Sequence, residues 1–344
     1  MDLACPIPVA EFAEVTLAHG GGGRLMQDLI SRMFAASFAP SHGPRGDSAV
    51  FDAPGGRMAF TTDGYVVRPL VFPGGDIARM AVFGTCNDLA VCGARPLHLS
   101  VAMVIEEGLP MATLWQLCAS LAEAAHAAGV TVVTGDTKVV ERGKADGLYL
   151  TTSGIGAVLP GLHLGAAQVQ PGDAVLVSGD VGRHGIAVLA ARGDLGLQTD
   201  ITSDLAPLWP AVQALHESGL ALRWMRDATR GGLATVLVEL AEATGHSVRI
   251  DEASVPVAGA VQAACELLGF DPLYIANEGC MAVVVPAAQA DEAACVLRAL
   301  PGHAQAAVIG TVTPRGAAPV TARSPAGGQR VLRMLSGEQL PRIC

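Results

Sequence analysis

Apolar residues recur along the first half of the chain with two spacings, one typical of helices and one typical of strands. Pro110 stands where the longer helical pattern begins and Gly129 where it ends, and these are the positions that the two residues prefer at helix ends. The predicted elements are helices at 78–94 and 111–128 and strands at 98–105, 130–133 and 148–158. The last two strands lie on either side of a polar loop.

The second half repeats this alternation after a polar connector that ends at Gln170-Pro171-Gly172-Asp173. Its predicted elements are strands at 174–178, 247–250, 281–285 and 307–312, and helices at 186–191, 232–244, 257–268 and 287–300. The chain is therefore expected to be an α/β (α+β) protein with an N-terminal domain at 1–160 and a C-terminal domain at 170–320. Polar, Gly- and Pro-rich residues after Pro314 predict a flexible tail at 321–344 that carries Cys344.

Composition narrows the class of protein. Hydrophobic residues make up 51% of the 344 residues and charged residues 16%, which is typical of a globular protein with a sizeable core. Aromatic residues are only 4%, so few side chains are available to stack on single-stranded nucleic acid. A net charge of −10 repels phosphate backbones, although a nucleotide can still bind where carboxylates hold Mg²⁺. No nucleic-acid partner is expected.

The sequence also bears on location. Its longest apolar stretches, such as 174–177 and 282–285, fall far short of the roughly 20 residues that a membrane span needs. The first residues lack a basic segment followed by an apolar one, so no signal peptide is predicted. The eight cysteines include no C-x-x-C pair, which gives no support to a zinc or redox motif. A cytoplasmic protein with no membrane partner is expected.

Aspartates that precede or follow predicted elements are the first candidates for chemistry, and they lie at positions 47, 63, 88, 136 and 227. Asp47 and Asp63 could equally form turns, and Asp227 could cap the helix that begins near Gly232. Asp88 is different because it lies within an apolar helical stretch, where an unpaired carboxylate would cost several kcal/mol. Oxygen ligands from several segments suit Mg²⁺ that is shared with substrate phosphates.

A glycine run, His19-Gly20-Gly21-Gly22-Gly23-Arg24, precedes a segment with helical spacing. Four glycines let the backbone fold closely over an anion, and Arg24 adds positive charge. The run is not a Walker A loop, because no Gly-Lys-Ser/Thr follows it. A flexible linker is the alternative interpretation. The turn from Asp227 to Gly232 is a second glycine-flanked segment, in which Arg230 is available for phosphate.

Four motifs carry a resemblance to a known superfamily, and they are Thr62-Asp63-Gly64, Asn87-Asp88-Leu89-Ala90, Gly135-Asp136-Thr137 and Asp227-Ala228-Thr229-Arg230-Gly231-Gly232. Their order resembles that of the aminoimidazole ribonucleotide synthetase superfamily, which includes selenophosphate synthetase and thiamine-monophosphate kinase. The glycine run and the ending Pro341-Arg342-Ile343-Cys344 resemble the branch that matures [NiFe]-hydrogenases. The resemblance covers essentially the whole chain.

The resemblance implies a fold, a reaction and partners. A HypF-like carbamoyltransferase would load a carbamoyl group onto Cys344. The chain would then use ATP to dehydrate the thiocarboxamide to a thiocyanate, whose cyano group passes to iron held by a HypC–HypD complex. The implied fold has two α/β domains, and the N-terminal domains pair in a homodimer with ATP near their interface.

Roles for individual residues follow as hypotheses. Mg²⁺ ligands are expected at Asp63, Asp88 and Asp227. Further cofactor-binding residues are expected at Gly20, Gly21, Gly22, Gly23, Asp47, Asn87, Asp136, Arg230, Gly231 and Gly232. Lys138 should project near the metal site, and Glu278 is the candidate base for removing an N–H proton. The alternatives are a solvated lysine and an exposed turn acid.

Cys344 has competing interpretations. A carrier thiol is favoured, because a terminal residue can swing between partners. Prenylation would require the cysteine fourth from the end. Cys280 is a rival thiol, but its place at the start of an apolar strand predicts burial.

Other functions remain open at this point. A selenophosphate-synthetase-like phosphotransferase would use an N-terminal cysteine with a lysine a few residues on. Cys5 is present, but no lysine precedes Lys138. Synthesis of a purine intermediate or phosphorylation of thiamine would leave the terminal cysteine unexplained. A non-catalytic adaptor with a thiol tail is the alternative from a different class.

Overall fold

The computed structural model describes residues 12–21, 24–34, 37, 55–193, 196 and 199–334. Gly22, Gly23, Asp47 and Cys344 lie outside the described residues, so the predictions made for them are not addressed by the fold. The strands are β1 Met58–Tyr65, β2 Val71–Phe72, β3 Gly75–Asp76, β4 Ala94–Glu106, β5 Thr131–Val140, β6 Leu148–Val158, β7 Ala174–Val177, β8 Trp224–Asp227, β9 Ser247–Asp251, β10 Met281–Val285, β11 Ala307–Thr313, β12 Val320–Arg323 and β13 Gln329–Leu332. The α-helices are α1 Arg24–Asp28, α2 Ile77–Val91, α3 Met111–Ala128, α4 Arg183–Arg192, α5 Trp209–Glu217, α6 Gly232–Thr244, α7 Gly259–Leu268 and α8 Ala290–Arg298.

The N-terminal sheet has four strands in the order β1-β6-β4-β5. Strands β1 and β6 and strands β6 and β4 are antiparallel, whereas β4 and β5 are parallel. Alternate residues of β4, such as Leu99 and Val101, are buried in one core with apolar residues of α2 and α3. The opposite face of the sheet carries Phe60, which is 69% exposed, and Met58, which is 39% exposed.

The C-terminal sheet has seven strands in the order β13-β12-β9-β11-β7-β10-β8. Every residue of the central strands β7 and β10 is buried, because helices cover both faces of the sheet. One face packs against α6 and the other against α5 and α8. This explains why both strands are continuous apolar runs instead of alternating with polar residues.

Helix α2 lies between the two sheets. It packs against strands β1, β4 and β6 of the N-terminal domain and against β8 and α5 of the C-terminal domain. Asp76 caps its start by accepting hydrogen bonds from Arg79 N (2.8 Å) and from Ser120 Oγ on α3 (2.5 Å). Of its 15 residues, 13 are buried, so the helix is apolar on almost every side.

Most predicted apolar elements are confirmed, with bounds that move by a few residues. The main difference between prediction and structure concerns a polar segment. Strand β5 continues through Thr134-Gly135-Asp136-Thr137-Lys138, so the prediction that Asp136 ends a strand before a polar loop is wrong. Pairing with β4 supplies the hydrogen bonds that make this polar stretch a strand. Strands β1 and β8 and helix α5 were not predicted.

The prediction of a loosely held tail from residue 321 is wrong as far as Leu332. Strand β12 pairs with β9, and β13 pairs with β12. Val320 and Ala322 of β12 are fully buried and Leu332 of β13 is 1% exposed, so these three apolar residues complete the core beside α6. Within the described residues, no helix combines the length and apolar character needed to cross a membrane.

Candidate active site

Three aspartates from separate elements approach one another around α2. Asp63 lies on edge strand β1, Asp88 on α2 and Asp227 at the end of β8. Asp63 is therefore not a turn residue, and Asp227 does not cap α6, whose cap residue is Gly231. The sequence predicts that these three acids act together, and the fold brings them into mutual electrostatic contact.

Two neighbouring side chains orient the acids. Thr61 Oγ1 donates a hydrogen bond to Asp88 Oδ2 at 2.8 Å, and Tyr65 OH donates to Asp63 Oδ2 at 3.4 Å. Tyr65 is buried against Gly84 of α2, where a Cβ atom would lie 2.3 Å from the tyrosine oxygen. Glycine at position 84 thus leaves the space against α2 that the Tyr65 side chain occupies.

Burial and mutual repulsion raise the pKa values of two acids. The pKa of Asp88 is raised to about 6, first by burial and then by the charge of Asp63. The pKa of Asp227 is raised to about 7, first by burial and then by the charge of Asp88. A divalent cation placed among the acids would offset both effects, since it favours the charged form of each carboxylate.

The acids do not form a complete cation cage. Among the described residues, no group of three His, Cys, Asp or Glu side chains is already arranged to hold a metal ion. The donor set nevertheless fits Mg²⁺, which binds through one or two carboxylates and completes its shell with water and substrate phosphates. Asp63, Asp88 and Asp227 would supply the protein oxygens.

Glu278 lies next to the three acids and is 4% exposed. Its pKa is raised well above the usual range, chiefly by burial and then by the charges of Asp204, Asp227 and Asp63, whereas Arg230 acts in the opposite direction. The exposed-turn interpretation of Glu278 is therefore wrong. A buried carboxyl group beside a cation site has the setting of a general acid or base.

The loop that carries Glu278 is fixed by its backbone. Both N–H groups at positions 278 and 279 donate to the carboxylate of Asp204, at 2.9–3.2 Å. A Cβ atom on Gly279 would lie 1.9 Å from the carbonyl oxygen of Asp204, so only glycine fits there. Asn277, fully buried, accepts a hydrogen bond from Gly182 N at 2.7 Å and donates to Ala228 O at 2.8 Å.

The turn before α6 brings the positively charged side chain of Arg230 to the same region. Arg230 is exposed, and it lowers the pKa of Glu278. Gly231 and Gly232 follow with φ values of +77° and +62°. A Cβ atom on Gly232 would lie 2.5 Å from Leu273 O, so this turn packs directly against the loop at 273–275. The N–H groups at the start of α6 and the guanidinium of Arg230 suit an anionic group.

Asn87, which was predicted to bind the cofactor, has its amide hydrogen-bonded within the protein in this structure. Its Nδ2 donates to Ala206 O at 3.0 Å and to Glu278 O at 3.2 Å. Its Oδ1 accepts from Leu208 N at 2.7 Å. The side chain, 2% exposed, ties α2 to two loops of the C-terminal domain.

Lys138 and Asp136 lie at the other edge of the N-terminal sheet. Asp63 is on β1 and Asp136 on β5, with β6 and β4 between them, a separation of roughly 14 Å at ordinary strand spacing. Lys138 Nζ is 3.4 Å from Asp136 Oδ2, and both side chains are more than half exposed. The prediction that Lys138 projects near the metal site is therefore wrong within one chain.

The described part of the glycine run lies beside edge strand β5. A Cβ atom on Gly20 would lie 2.7 Å from Val139 N, so Gly20 allows the 3₁₀ helix Leu17–Gly20 to pack on β5. Gly21 has no comparable contact. Predicted site residues thus form two groups, one around α2 and one along β5.

Several residues near the site are not predicted from the sequence, namely Thr61, Tyr65, His184 and Asp204. Thr61 and Tyr65 flank Asp63 in the alternating pattern of β1, which was a usable signal. His184 and Asp204 reach Glu278 only through tertiary structure, and no local motif marks them. Cys280, the rival thiol, is 2% exposed, and burial raises its pKa to about 12. It is a core residue, as predicted.

Comparison with known proteins follows the same two-domain division. The N-terminal domain model of the AIR synthase related proteins matches residues 45–158, and their C-terminal domain model matches residues 170–322. A Rhodobacter capsulatus protein named carbamoyl dehydratase HypE is 50% identical over 333 residues, with 96% of this chain and 98% of that protein covered.

Two solved structures are also similar. A crystal structure of the hydrogenase maturation protein HypE in complex with ATP has a TM-score of 0.91 at 43% identity, covering 96% of this chain and 99% of that chain. A crystal structure of a HypE–HypF complex has a TM-score of 0.78 at 42% identity, covering 81% of this chain and 90% of that chain.

Replacing Asn87 by alanine should destabilise the protein, because three backbone groups, with two of the three hydrogen bonds buried, lose their partner. A loss of about 3 kcal/mol in the free energy of unfolding is expected from denaturant titration. Gln262→Ala, which removes an exposed amide from α7, is the control and should change stability by less than about 0.5 kcal/mol. An Asn87→Ala protein with normal stability but weakened ATP binding would restore the cofactor-binding interpretation.

Replacing Asp227 by asparagine should stabilise the metal-free protein at neutral pH. The folded-state pKa of about 7 lies above the unfolded value, so the charge on Asp227 reduces stability progressively as pH rises between these values. In chelator-treated buffer, the difference in free energy of unfolding between variant and wild type should therefore increase by on the order of 3 kcal/mol as pH rises from about 4 to about 8. Mg²⁺ should reduce the difference at pH 8. Denaturant titrations at both pH values measure it, and a pH-independent difference would contradict the burial argument.

Proposed function

The chain belongs to the AIR synthase related proteins and, among them, to the HypE carbamoyl dehydratases, and from this premise we propose how its residues carry out the reaction. The function is [NiFe]-hydrogenase maturation by ATP-dependent dehydration of a carbamoylated cysteine to a thiocyanate. The observation that supports this best is the position of Glu278, a buried acid beside the Asp63–Asp88–Asp227 group and Arg230. One region thus combines groups for phosphate binding with a group for proton transfer.

The reaction has two steps whose atoms balance. The carbamoyl oxygen attacks the γ-phosphorus of ATP, the bond to the bridging oxygen breaks, and ADP leaves. The nitrogen of the phosphorylated group carries two protons, and the first passes to water because phosphorylation leaves the group positively charged. The second N–H proton then passes to a base, its electron pair forms the third C–N bond, and the C–O bond breaks to release inorganic phosphate. Glu278 is the proposed base. The first step depends on positioning and charge neutralisation more than on covalent catalysis.

Mg²⁺ is the proposed ion, with Asp63, Asp88 and Asp227 as its protein ligands and Asp47 and Asp136 as further candidates. Such an ion would neutralise phosphate charge during transfer. Arg230 and the N–H groups that follow Gly231 would hold the phosphate from the C-terminal side.

A homodimer would reconcile the two separated groups of site residues. The sheet face that carries Phe60 is exposed and apolar, and surfaces of this kind often bind a partner protein. A two-fold axis across this face would place edge strand β5 of one protomer near edge strand β1 of the other. Lys138 and Asp136 would then complete the site of the partner subunit.

The chain leading to the C-terminus supports a carrier role for Cys344. Arg330 forms ion pairs with Glu252 and Asp271, and Tyr274 OH donates to Arg333 O at 2.9 Å. These contacts fix the chain beside the loop that packs on Gly232. Ten residues separate Met334 from Cys344, and a chain of that length spans at most about 35 Å.

The partners and location follow from this role. One similar structure is a HypE–HypF complex, which supports a HypF-like carbamoyltransferase as the source of the carbamoyl group. A HypC–HypD complex is the proposed acceptor of the cyano group, and the cytoplasm, where ATP is abundant, is the proposed location. The phosphotransferases of the superfamily are not favoured, given the 50% identity to a carbamoyl dehydratase over nearly the full chain.

Intact-mass analysis tests the function directly. Incubation with a HypF-like carbamoyltransferase and its carbamoyl donor should add one carbamoyl group, and ATP with Mg²⁺ should then remove one water. Asp88→Asn should keep the first change and lose the second, because it weakens phosphate and metal binding. Cys344→Ser should lose both, while Cys295→Ser, at an exposed cysteine of α8, should keep both. Loading of the Cys344→Ser protein would contradict the carrier role, and retention of the water by loaded wild type would contradict the dehydratase role.

Mixing two inactive variants tests the shared site. Asp88→Asn and Lys138→Ala proteins should each be inactive, but subunit exchange should produce heterodimers in which one of two sites is intact. A statistical mixture should then recover about a quarter of wild-type activity, as expected for two-fold symmetric sites. A mixture that stays inactive after verified exchange would mean that each chain supplies its whole site.

A further inference from the structure

A cavity of about 260 Å³ in the C-terminal domain adjoins the loop that carries Glu278. Its walls come from the loop after β7, the segment that leads into α5, the start of β10 and the loop after α8. Gly279 and Cys280 form part of the wall. Among the described residues, neither Glu278 nor the three aspartates of the proposed metal site line it. The cavity is therefore a neighbour of the proposed active site and not a part of it.

The charged side chains that line the cavity are two acids and one base. Arg183 Nε lies 3.0 Å from Asp180 Oδ2, so these two charges offset each other. Asp204 is 9% exposed, and its carboxylate accepts hydrogen bonds from the N–H groups of Glu278 and Gly279. Those donors are neutral, and within the described part of the chain Asp204 forms no ion pair. The cavity thus keeps one uncompensated negative charge, whose burial favours the binding of a cation.

His303 adds a buried hydrogen-bond acceptor to the same cavity. The residue is 6% exposed, and its Nδ1 is 2.8 Å from Ser178 O. A carbonyl oxygen can only accept, so Nδ1 carries the proton and Nε2 of the neutral ring is an acceptor. No described residue donates to Nε2, although His303 lines the cavity. A bound group with an N–H donor would satisfy this nitrogen.

A guanidinium group matches these features. It carries the positive charge that Asp204 lacks, and its five N–H donors lie in one plane, so it can bond to a carboxylate and to an imidazole nitrogen together. The rim of the cavity is apolar and rich in proline, with Pro207, Pro210, Leu300 and Pro301. Such a rim suits apolar residues on either side of the cation. The cavity therefore fits an arginine within an apolar peptide.

The chain carries such a peptide close by, since Arg342 stands between Pro341 and Ile343. Tyr274 OH donates to Arg333 O at 2.9 Å, and Gly279 of the cavity wall follows Tyr274 by only five residues. The wall therefore lies within about 30 Å of Arg333, whereas nine residues and an arginine side chain reach about 35 Å. The segment is long enough to enter the cavity of its own chain.

We propose that the cavity binds the guanidinium of Arg342, so that residues 335–344 have a docked position on the C-terminal domain. In this position Arg342 pairs with Asp204 and donates a hydrogen bond to Nε2 of His303. Pro341 and Ile343 pack against the proline-rich rim. Docking thus supplies the cation and the donor that these two buried groups lack among the described residues.

Docking also gives the carrier thiol a defined place. Cys344 follows Arg342 by two residues, so their Cα atoms lie at most about 8 Å apart. The thiol is then held beside the loop that carries Glu278, and the segment must leave the cavity before Cys344 can reach a partner protein. The docking goes beyond the proposed function, and only this last consequence depends on it.

Photo-crosslinking of the full-length protein, without nucleotide or partner protein, tests the docking. A diazirine side chain at position 343 should crosslink to residues 206–210 or 300–303 of the same chain, as read by peptide mass spectrometry. Arg342→Ala removes the cation and Asp180→Asn removes the net negative charge of the cavity, so each should lower the yield at least about fivefold. His303→Asn keeps a donor for Ser178 O but lacks Nε2, and it should lower the yield about threefold. Excess N-acetylarginine amide should compete with the segment.

The control is Arg315→Ala, which removes an exposed arginine between β11 and β12 and should leave the yield unchanged. Mixing isotope-labelled with unlabelled protein separates crosslinks within one chain from those between chains. Crosslinks only to other segments or only between chains would overturn the proposal, and so would an unchanged yield in both Arg342→Ala and Asp180→Asn. If the crosslinks form as expected while the loaded wild type keeps its water in the intact-mass test, the proposed function is refuted and the docking stands.

Discussion

The structure depends on burying helix α2 between two sheets while two polar neighbours on that helix meet opposite requirements. Asn87 is satisfied completely by backbone groups of the C-terminal domain, which joins the domains without leaving a buried donor or acceptor unpaired. Asp88 is left among other acids, and Thr61 donates a hydrogen bond to it. Asn87 therefore stabilises the fold, whereas the charge of Asp88 is electrostatically unfavourable until a cation binds beside it.

That cost links stability to function. Burial and like charges raise the pKa values of Asp88 and Asp227 to about 6 and 7, so the metal-free site holds repelling groups that only a rigid framework keeps together. The framework includes close contacts at three glycines: Gly84 against the Tyr65 side chain, Gly232 against the Leu273 carbonyl and Gly279 against the Asp204 carbonyl. A cation and phosphates entering this site would find ligands already positioned, and Glu278 lies where proton transfer must follow.

The sequence predicts the apolar framework well and the site only in part. Runs such as Val283-Val284-Val285 are unambiguous because they are buried on both faces, and Asp88 stands out because it interrupts an apolar helix. Asn87 occupies the same motif, and nothing local separates a structural amide from a ligand. Lys138 was misplaced because strand β5 is polar and gains its strand character from pairing with β4, a partner that lies outside any local window.

The central claim is that Asp63, Asp88 and Asp227 form the metal–nucleotide site of this chain. Anomalous diffraction from crystals grown with Mn²⁺ and a non-hydrolysable ATP analogue measures it most directly. A manganese peak about 2–2.5 Å from carboxylate oxygens of these residues and bridging to the phosphates is expected. Manganese and phosphates bound elsewhere, with the three carboxylates lacking a metal, would contradict the account.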